Sequence, residues 1–327
     1  MYMKGLVVPR GNVTSGDQEW ITFEQMICKA LDAGGFQYNR EVVYFGDHLE
    51  KMSGVDFVIY AHKTRRDLFA NLYHKQMHMR YLFTLDHLGW GADHSKKITG
   101  TDFEGIEKQK AINFCTGLRN KFLNQGDSKF AQPQINLAKD FPTSFVFFPL
   151  QRPGDDTIMF HAPKEVDETV VMLSKWASSR KQNVVFKFHP GNKNDPDLVR
   201  CVNDCVKNYS NVFLYEGNIH DFIDRSEGVI VINSGVGFES LIHGKPVVTL
   251  GACDYQQVTF KATKERLDEA RDYIYNYSRE QSIMTWKFIY YYFFHHAYCI
   301  EEEYKEAAYV RLYEYLSKAI KRNTISV

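Results

Sequence analysis

The chain has 327 residues, 40 of them basic and 40 acidic, for a formal net charge of zero. That length exceeds one typical core and suits two domains, and the charge balance offers no bulk attraction to duplex DNA or another polyanion. No uncharged apolar run approaches the ~20 residues that span a bilayer, and Met1 to Pro9 reads as a short strand and loop rather than a secretory leader.

In chain order, apolar runs at Gly5–Val8, Glu41–Phe45, Asp56–Tyr60 and Tyr81–Leu85 read as strands. Amphipathic stretches at Thr22–Ala33 and Arg65–Met79 alternate with them as helices, which predicts a parallel sheet. A charged helical segment follows from Phe103 to Leu123. The polar stretch from Asn124 to Pro142 lacks periodicity and is the expected domain boundary. The alternation then restarts, with strands at Ser144–Pro149, Val184–Phe188, Val212–Tyr215, Gly228–Ile232 and Pro246–Leu250. Helices are expected at Glu165–Arg180, Asp197–Lys207, Ile219–Arg225 and from Gly237. Residues 264–320 read as helical throughout. They contain the aromatic run Trp286–Phe294, which reads either as a packed C-terminal helix or as an interfacial helix on a membrane. The aromatic content, 15 %, has the same two readings, packing or sugar- and membrane-facing surface.

The polar clusters sit just past strand ends, where open α/β sheets bind ligands. Lys187-Phe188-His189-Pro190 closes one apolar run and Asn233-Ser234-Gly235-Val236-Gly237-Phe238-Glu239 closes another. A lysine, an imidazole, a hydroxyl and free N–H groups at a helix start suit a phosphate, and two glycines permit close backbone approach. Glu239, about one turn into the helix, suits ribose hydroxyls; its plain alternative is a solvated helix acid. Gln151-Arg152-Pro153-Gly154-Asp155-Asp156 follows another strand. One of its acids is a candidate nucleophile or base, the alternative being a solvated turn. Asp86-His87-Leu88-Gly89-Trp90 ends a strand of the first half, with Asp86 as candidate acid/base and Trp90 as a sugar-stacking or packing ring. His295-His296 are adjacent on a helix and point apart, so they form no metal pair. Cys201 and Cys205 lack a second pair, and all six cysteines are read as reduced, mostly buried thiols of a cytoplasmic protein. Serine-hydrolase, Walker and His-Glu-x-x-His templates are missing.

These segments, with Ile219-His220-Asp221 and Ser240 to Val247, resemble the capsule-polysaccharide-synthesis family of retaining β-Kdo glycosyltransferases, which use CMP-activated Kdo. The resemblance spans about residues 80 to 255. It implies an α/β GT-B-like fold of two Rossmann-type βα domains facing across a cleft. Residues 1–140 would be the acceptor side, 141–263 the CMP-sugar domain and 264–327 helices packing across both. It implies that Lys187 and His189 contact the CMP phosphate. Asn233, Ser234, Gly235 and Gly237 would hold the phosphate or ribose, with Glu239 on the ribose hydroxyls. Gln151, Arg152, Trp90 and His220 would contact substrate. Asp155 matches the family's conserved acid and would be the nucleophile, with His189 assisting departure of CMP. Asp86 stands where the family usually has Glu, with its glycine one residue later than usual. Two displacements through an Asp155 adduct would give retention. No metal or other cofactor is implied. The partners would be the CMP-sugar and a glycan or lipid-linked glycan acceptor, and no nucleic acid. The enzyme would be cytoplasmic, with the aromatic helix its candidate contact with the inner face of the bacterial inner membrane. The rivals are a sialyltransferase, a CDP-glycerol glycerophosphotransferase, a nucleotide-sugar epimerase and a non-catalytic glycan-binding scaffold.

Overall fold

A computed structural model describes residues 3–11, 17–42, 54–66, 70–126, 128–133, 135, 141–190 and 195–323, with side chains to residue 321. Its contacts group the chain into two compact units, one of Met1–Lys97 with Tyr292–Val327, the other of Ile98–Tyr291.

The first unit holds strands β1 (Lys4–Val8), β2 (Gln37–Arg40), β3 (Phe57–Ala61), β4 (Leu72–Gln76) and β5 (Leu82–Asp86), with helix α1 (Gln18–Ala33). Its six-stranded sheet runs β12-β5-β4-β3-β1-β2, where β12 is Tyr298–Cys299 near the end of the chain. β1, β2, β3 and β4 pair in parallel, whereas β5 runs antiparallel to β4. Two sequence expectations fail here. Leu72–Gln76 is a strand, although Arg65–Met79 reads as an amphipathic helix. Leu72, Tyr73 and His74 are all buried, because β4 lies between β3 and β5 and is covered on both faces, where a continuous apolar run serves better than a helical stripe. The expected strand Glu41–Phe45 appears as β2 at Gln37–Arg40, and residues 43–45 lie outside the described residues.

His74 carries a consequence for stability. It is fully buried against Trp20 and Phe23, at 5.9 and 5.8 Å between ring centroids, and its ring nitrogens make no hydrogen bond among the described residues. Burial depresses its pKa to about 3. The unfolded chain therefore binds a proton near pH 6.5 that the folded chain refuses, so stability falls as pH drops from about 6.5 toward 3. His74→Phe is expected to raise thermal stability by about 1 kcal/mol at pH 7, since it removes an unsatisfied polar ring. It should also flatten the acid limb of a Tm-against-pH curve. An unchanged acid limb would show that other groups control it.

The second unit begins with helices α2 (Gly100–Phe103) and α3 (Lys108–Gln125), which the sequence pattern assigns to the first half. Both are bound to the second unit by apolar contacts. Phe103 meets Phe288 edge-on at 5.5 Å, and Phe122 stacks on His220. The remaining elements are β6 (Val146–Pro149), α4 (Asp156–His161), α5 (Val166–Arg180), β7 (Val184–Lys187), α6 (Pro196–Asn208), β8 (Val212–Leu214), α7 (Ile219–Arg225), β9 (Gly228–Val231), α8 (Gly235–Ile242), β10 (Val247–Thr249), β11 (Phe260–Lys261), α9 (Leu267–Tyr275) and α10 (Arg279–Tyr291). The sheet runs β11-β10-β9-β6-β7-β8, all parallel. From β6 the chain winds outward through β7 and β8. It then crosses back to lay β9, β10 and β11 on the other side of β6. β6, β7 and β9 are buried at every position. Each such Val, Ile or Phe contributes on the order of 2 kcal/mol of burial.

Residues 264–320 are not helical throughout. After α10 comes a π-helical turn, Tyr292–His296, then β12 (Tyr298–Cys299), which pairs antiparallel with β5, and α11 (Lys305–Asn323). A two-residue edge strand is too short to carry a period. None of Trp286–Phe294 is exposed, and the Trp286 indole N–H donates to the Leu241 carbonyl at 3.2 Å. The run therefore packs inside the protein, and an interfacial reading of it lacks an outward aromatic face. Among the described residues no helix is long and apolar enough to cross a membrane. The cysteines carry no disulfide; Cys115, Cys205 and Cys299 are buried and the other three half-buried.

Candidate functional site

The reversal of winding direction lies between β6 and β9, and crevices outside the carboxyl ends of strands at such a point are ligand sites. The two strand ends are tied together there. Gln151 donates from Nε2 to Asn233 Oδ1 at 2.8 Å, and its Oε1 accepts the Asn233 backbone N–H at 3.0 Å. Asn233 Nδ2 donates to the Thr157 carbonyl at 2.8 Å. Thr157 in turn donates its N–H and hydroxyl to Asp155 Oδ1, at 3.0 and 2.8 Å. One chain of hydrogen bonds thus runs from the end of β6, through the end of β9 and Thr157, to the Asp155 carboxylate. Gln151 and Asn233 are buried, so the bonds between these two are made in a low-dielectric setting that fixes their geometry, whereas the Thr157–Asp155 bonds are exposed.

Asp155 is exposed and caps α4. Capping and chemistry are compatible, because the Thr157 bonds hold one carboxylate oxygen and thereby set the plane of the group. Asp156 stands at the first position of the same helix, so the two neighbouring acids have different surroundings.

His189 follows β7, half-buried, with the Phe130 ring against its face edge-on at 4.8 Å. Burial first, then the charges of Arg152, Lys187 and Lys129, push its pKa below the usual imidazole range against the pull of Asp155. Three cations therefore act on one imidazole, a field suited to an anion. Lys187 is itself buried, its ammonium 3.4 Å from the Phe188 carbonyl. Arg152 is exposed. Lys129 and Phe130 come from the aperiodic stretch, where a lone aromatic beside a lysine gives no signal.

Ser234 caps α8, its hydroxyl accepting the Val236 N–H at 3.2 Å, with Gly235 opening the helix. The Ser234 carbonyl accepts the Tyr255 hydroxyl. A Cβ at Gly237 would lie 2.5 Å from that hydroxyl. Gly237 is thus required by the Tyr255 ring, not only by a ligand's approach. Glu239 is buried, which removes the solvated-acid alternative, and its Oε2 lies 3.9 Å from His220 Nε2. His220, 1 % exposed, stacks on Phe122 and bonds His243 across 3.1 Å. It is an internal group, set by the Asn218 cap of α7, and not the direct substrate contact that the resemblance implies.

Asp86 and Trp90 belong to the other unit. Asp86 is buried at the end of β5 and accepts the Leu88 and Ser95 N–H groups at 2.9 Å each, together with the Ser95 hydroxyl. Burial opposes its charge, but His94 and these donors outweigh burial and hold the carboxyl below its usual range. Such a carboxylate anchors a loop and is a weak base; an acid/base role for it rests on the resemblance alone. Trp90 is buried with the Lys75 ammonium 3.2 Å from its ring centroid, so it packs, and its face is taken by a cation rather than offered to a sugar.

Comparison with known proteins gives the family and the fold. Residues 107–317 match the family described as capsule polysaccharide biosynthesis protein. The chain belongs to that family. It is similar to two solved structures from Thermosulfurimonas dismutans KpsC. To the KpsC beta Kdo 2,7 transferase the TM-score is 0.50 at 15 % identity, covering 88 % of this chain and 89 % of that one. To the KpsC beta Kdo 2,4 transferase it is 0.50 at 11 % identity, covering 96 % and 99 %. The likeness shows that this family member has the same GT-B-type fold. A stretch of 120 residues is 32 % identical to protein FixF of Sinorhizobium fredii, covering 36 % of this chain and only 28 % of that protein.

Proposed function

We propose that this protein is a retaining β-Kdo glycosyltransferase that moves Kdo from CMP-Kdo to a glycan or lipid-linked glycan acceptor in bacterial surface polysaccharide synthesis. The observation that carries the reading is the hydrogen-bonded join of Gln151, Asn233, Thr157 and Asp155 beside the cationic surroundings of His189. A carboxylate of fixed plane stands on the same sheet edge as a group of cations suited to a departing phosphate. Family membership and the shared fold support the same conclusion.

In the proposed reaction the Asp155 carboxylate attacks the anomeric carbon of Kdo while the bond to the CMP phosphate breaks. Lys187, Arg152 and an N–H of His189 take up the developing phosphate charge. The acceptor hydroxyl then displaces Asp155, and two inversions give retention. These cations can neutralise CMP without a divalent metal, so transfer is expected to continue in excess chelator. On the same reading the enzyme works in the cytoplasm, at the inner face of the membrane.

The test measures CMP release in parallel from CMP-Kdo, CMP-sialic acid and CDP-glycerol. Turnover of CMP-Kdo alone is expected, and preference for either rival donor would sink the reading. The same protein gives a pH test. A bound phosphate favours the imidazolium of His189, so binding takes up a proton and CMP affinity should rise as pH falls through the pKa of the complex. Affinity that is flat or weakens toward acid would remove His189 from the phosphate site.

A further inference from the structure

We propose that His243 is a positioning residue for the donor ribose: it fixes the tautomer of His220 and, through it, the orientation of the Glu239 carboxylate. The inference rests on the CMP-sugar reading and adds a residue to it. His220 and His243 are both buried, and His220 Nδ1 lies 3.1 Å from His243 Nε2. A bond between two ring nitrogens holds one proton, so the state of one ring dictates the other.

The proton can be assigned from the far end of the pair. His243 Nδ1 is buried and makes no hydrogen bond among the described residues. Orphaned buried N–H groups are rarer than under-used acceptors, so that nitrogen carries a lone pair. Asp224 Oδ1 stands 3.8 Å from it, but Arg119 already bonds that same oxygen and offsets its pull on a proton. Burial, and His220 alongside, hold His243 well below the usual imidazole range, so the ring is neutral. Its single proton sits on Nε2 and is donated to His220 Nδ1. His220 then carries its own proton on Nε2, the nitrogen that faces Glu239 Oε2 at 3.9 Å. Phe122 keeps both rings in plane, at 4.3 Å and 10° from His220 and 5.6 Å and 13° from His243. The result is an N–H dipole aimed at Glu239 and backed by Arg119 and Asp224. A carboxylate so oriented can accept two vicinal hydroxyls.

The test compares binding of CMP and 2′-deoxy-CMP by calorimetry, using the full chain. The wild type is expected to prefer CMP by roughly tenfold or more, the loss of a hydroxyl bond to a charged acceptor. His243→Gln puts an amide N–H at the Nε2 position and should keep that preference. His243→Asn is one bond too short to reach His220. It should lose the preference to within about twofold, by weaker CMP binding, while 2′-deoxy-CMP binds as to the wild type. Gln and Asn variants that behave alike, or a reversed order, overturn the inference, because a role in packing alone would not separate the two nucleotides. A wild type that binds CMP without preferring ribose overturns the inference but leaves the donor reading standing. A wild type that does not bind CMP overturns both.

Discussion

Asp155→Asn is expected to abolish Kdo transfer, by at least about a thousandfold in kcat, while CMP binds as before. The substitution isolates chemistry from structure. Asp155 is the cap of α4, with its Oδ1 holding both Thr157 donors. Asparagine caps as well as aspartate and keeps the accepting oxygen, so the stability change should stay within about 0.5 kcal/mol. An amide is a far poorer nucleophile than a carboxylate and cannot form the adduct. Rates and CMP affinity measured on the same preparation, with a melting curve, decide the matter. Turnover near the wild-type value would remove Asp155 from the nucleophile role and leave it as a cap.

Gly237→Ala should destabilise the protein by about 2 kcal/mol and weaken donor binding together. The added methyl would meet the Tyr255 hydroxyl at 2.5 Å and its ring at 3.0 and 3.1 Å. Tyr255 is fully buried and stacks edge-on against Phe238, so the ring cannot simply swing aside. Overpacking of this kind typically costs 1–3 kcal/mol. Tyr255 also holds the Ser234 carbonyl, so a displaced ring disturbs the cap at the start of α8. Tyr255→Phe removes the oxygen nearest the new methyl. In a double-mutant cycle the pair should be less destabilised than the sum of its parts, by about 1 kcal/mol. Additive losses would mean that the strain lies elsewhere.

The elements that build the site were the legible ones. β6, β7 and β9 are covered on both faces, so they stand out as short apolar runs. Their carboxyl ends are marked by the change to polar residues at Gln151, His189 and Asn233. Hydrogen-bond partners distant in sequence leave no such mark: nothing local pairs Gln151 with Asn233, 82 residues apart, or aims Tyr255 at Ser234, 21 residues apart. Arg65–Met79 reads as a helix because Leu68 and Leu72 carry helical spacing, whereas the pairing of β4 with β3 and β5 decides its state. Phe103–Leu123 reads as helical, and the structure has the helix Lys108–Gln125 there, grouped by its contacts with residues 98–291. The ring that it lends to His220 and His243, Phe122, is invisible until the two histidines are seen together. Glu239, Ser234 and Asp155 were recognisable by type and place; their settings, buried, capping and capping, were not.

The second unit is one uninterrupted piece of chain, residues 98 to 291, inserted between the two pieces of the first. During synthesis its sheet is complete before the last part of the first unit exists. β12 closes against β5 from about two hundred residues further along. A chain cut short after Tyr291 would therefore retain every strand of the Asp155 sheet and lack the strand that finishes the other, which makes the order of manufacture also the order in which the two halves can acquire their folds.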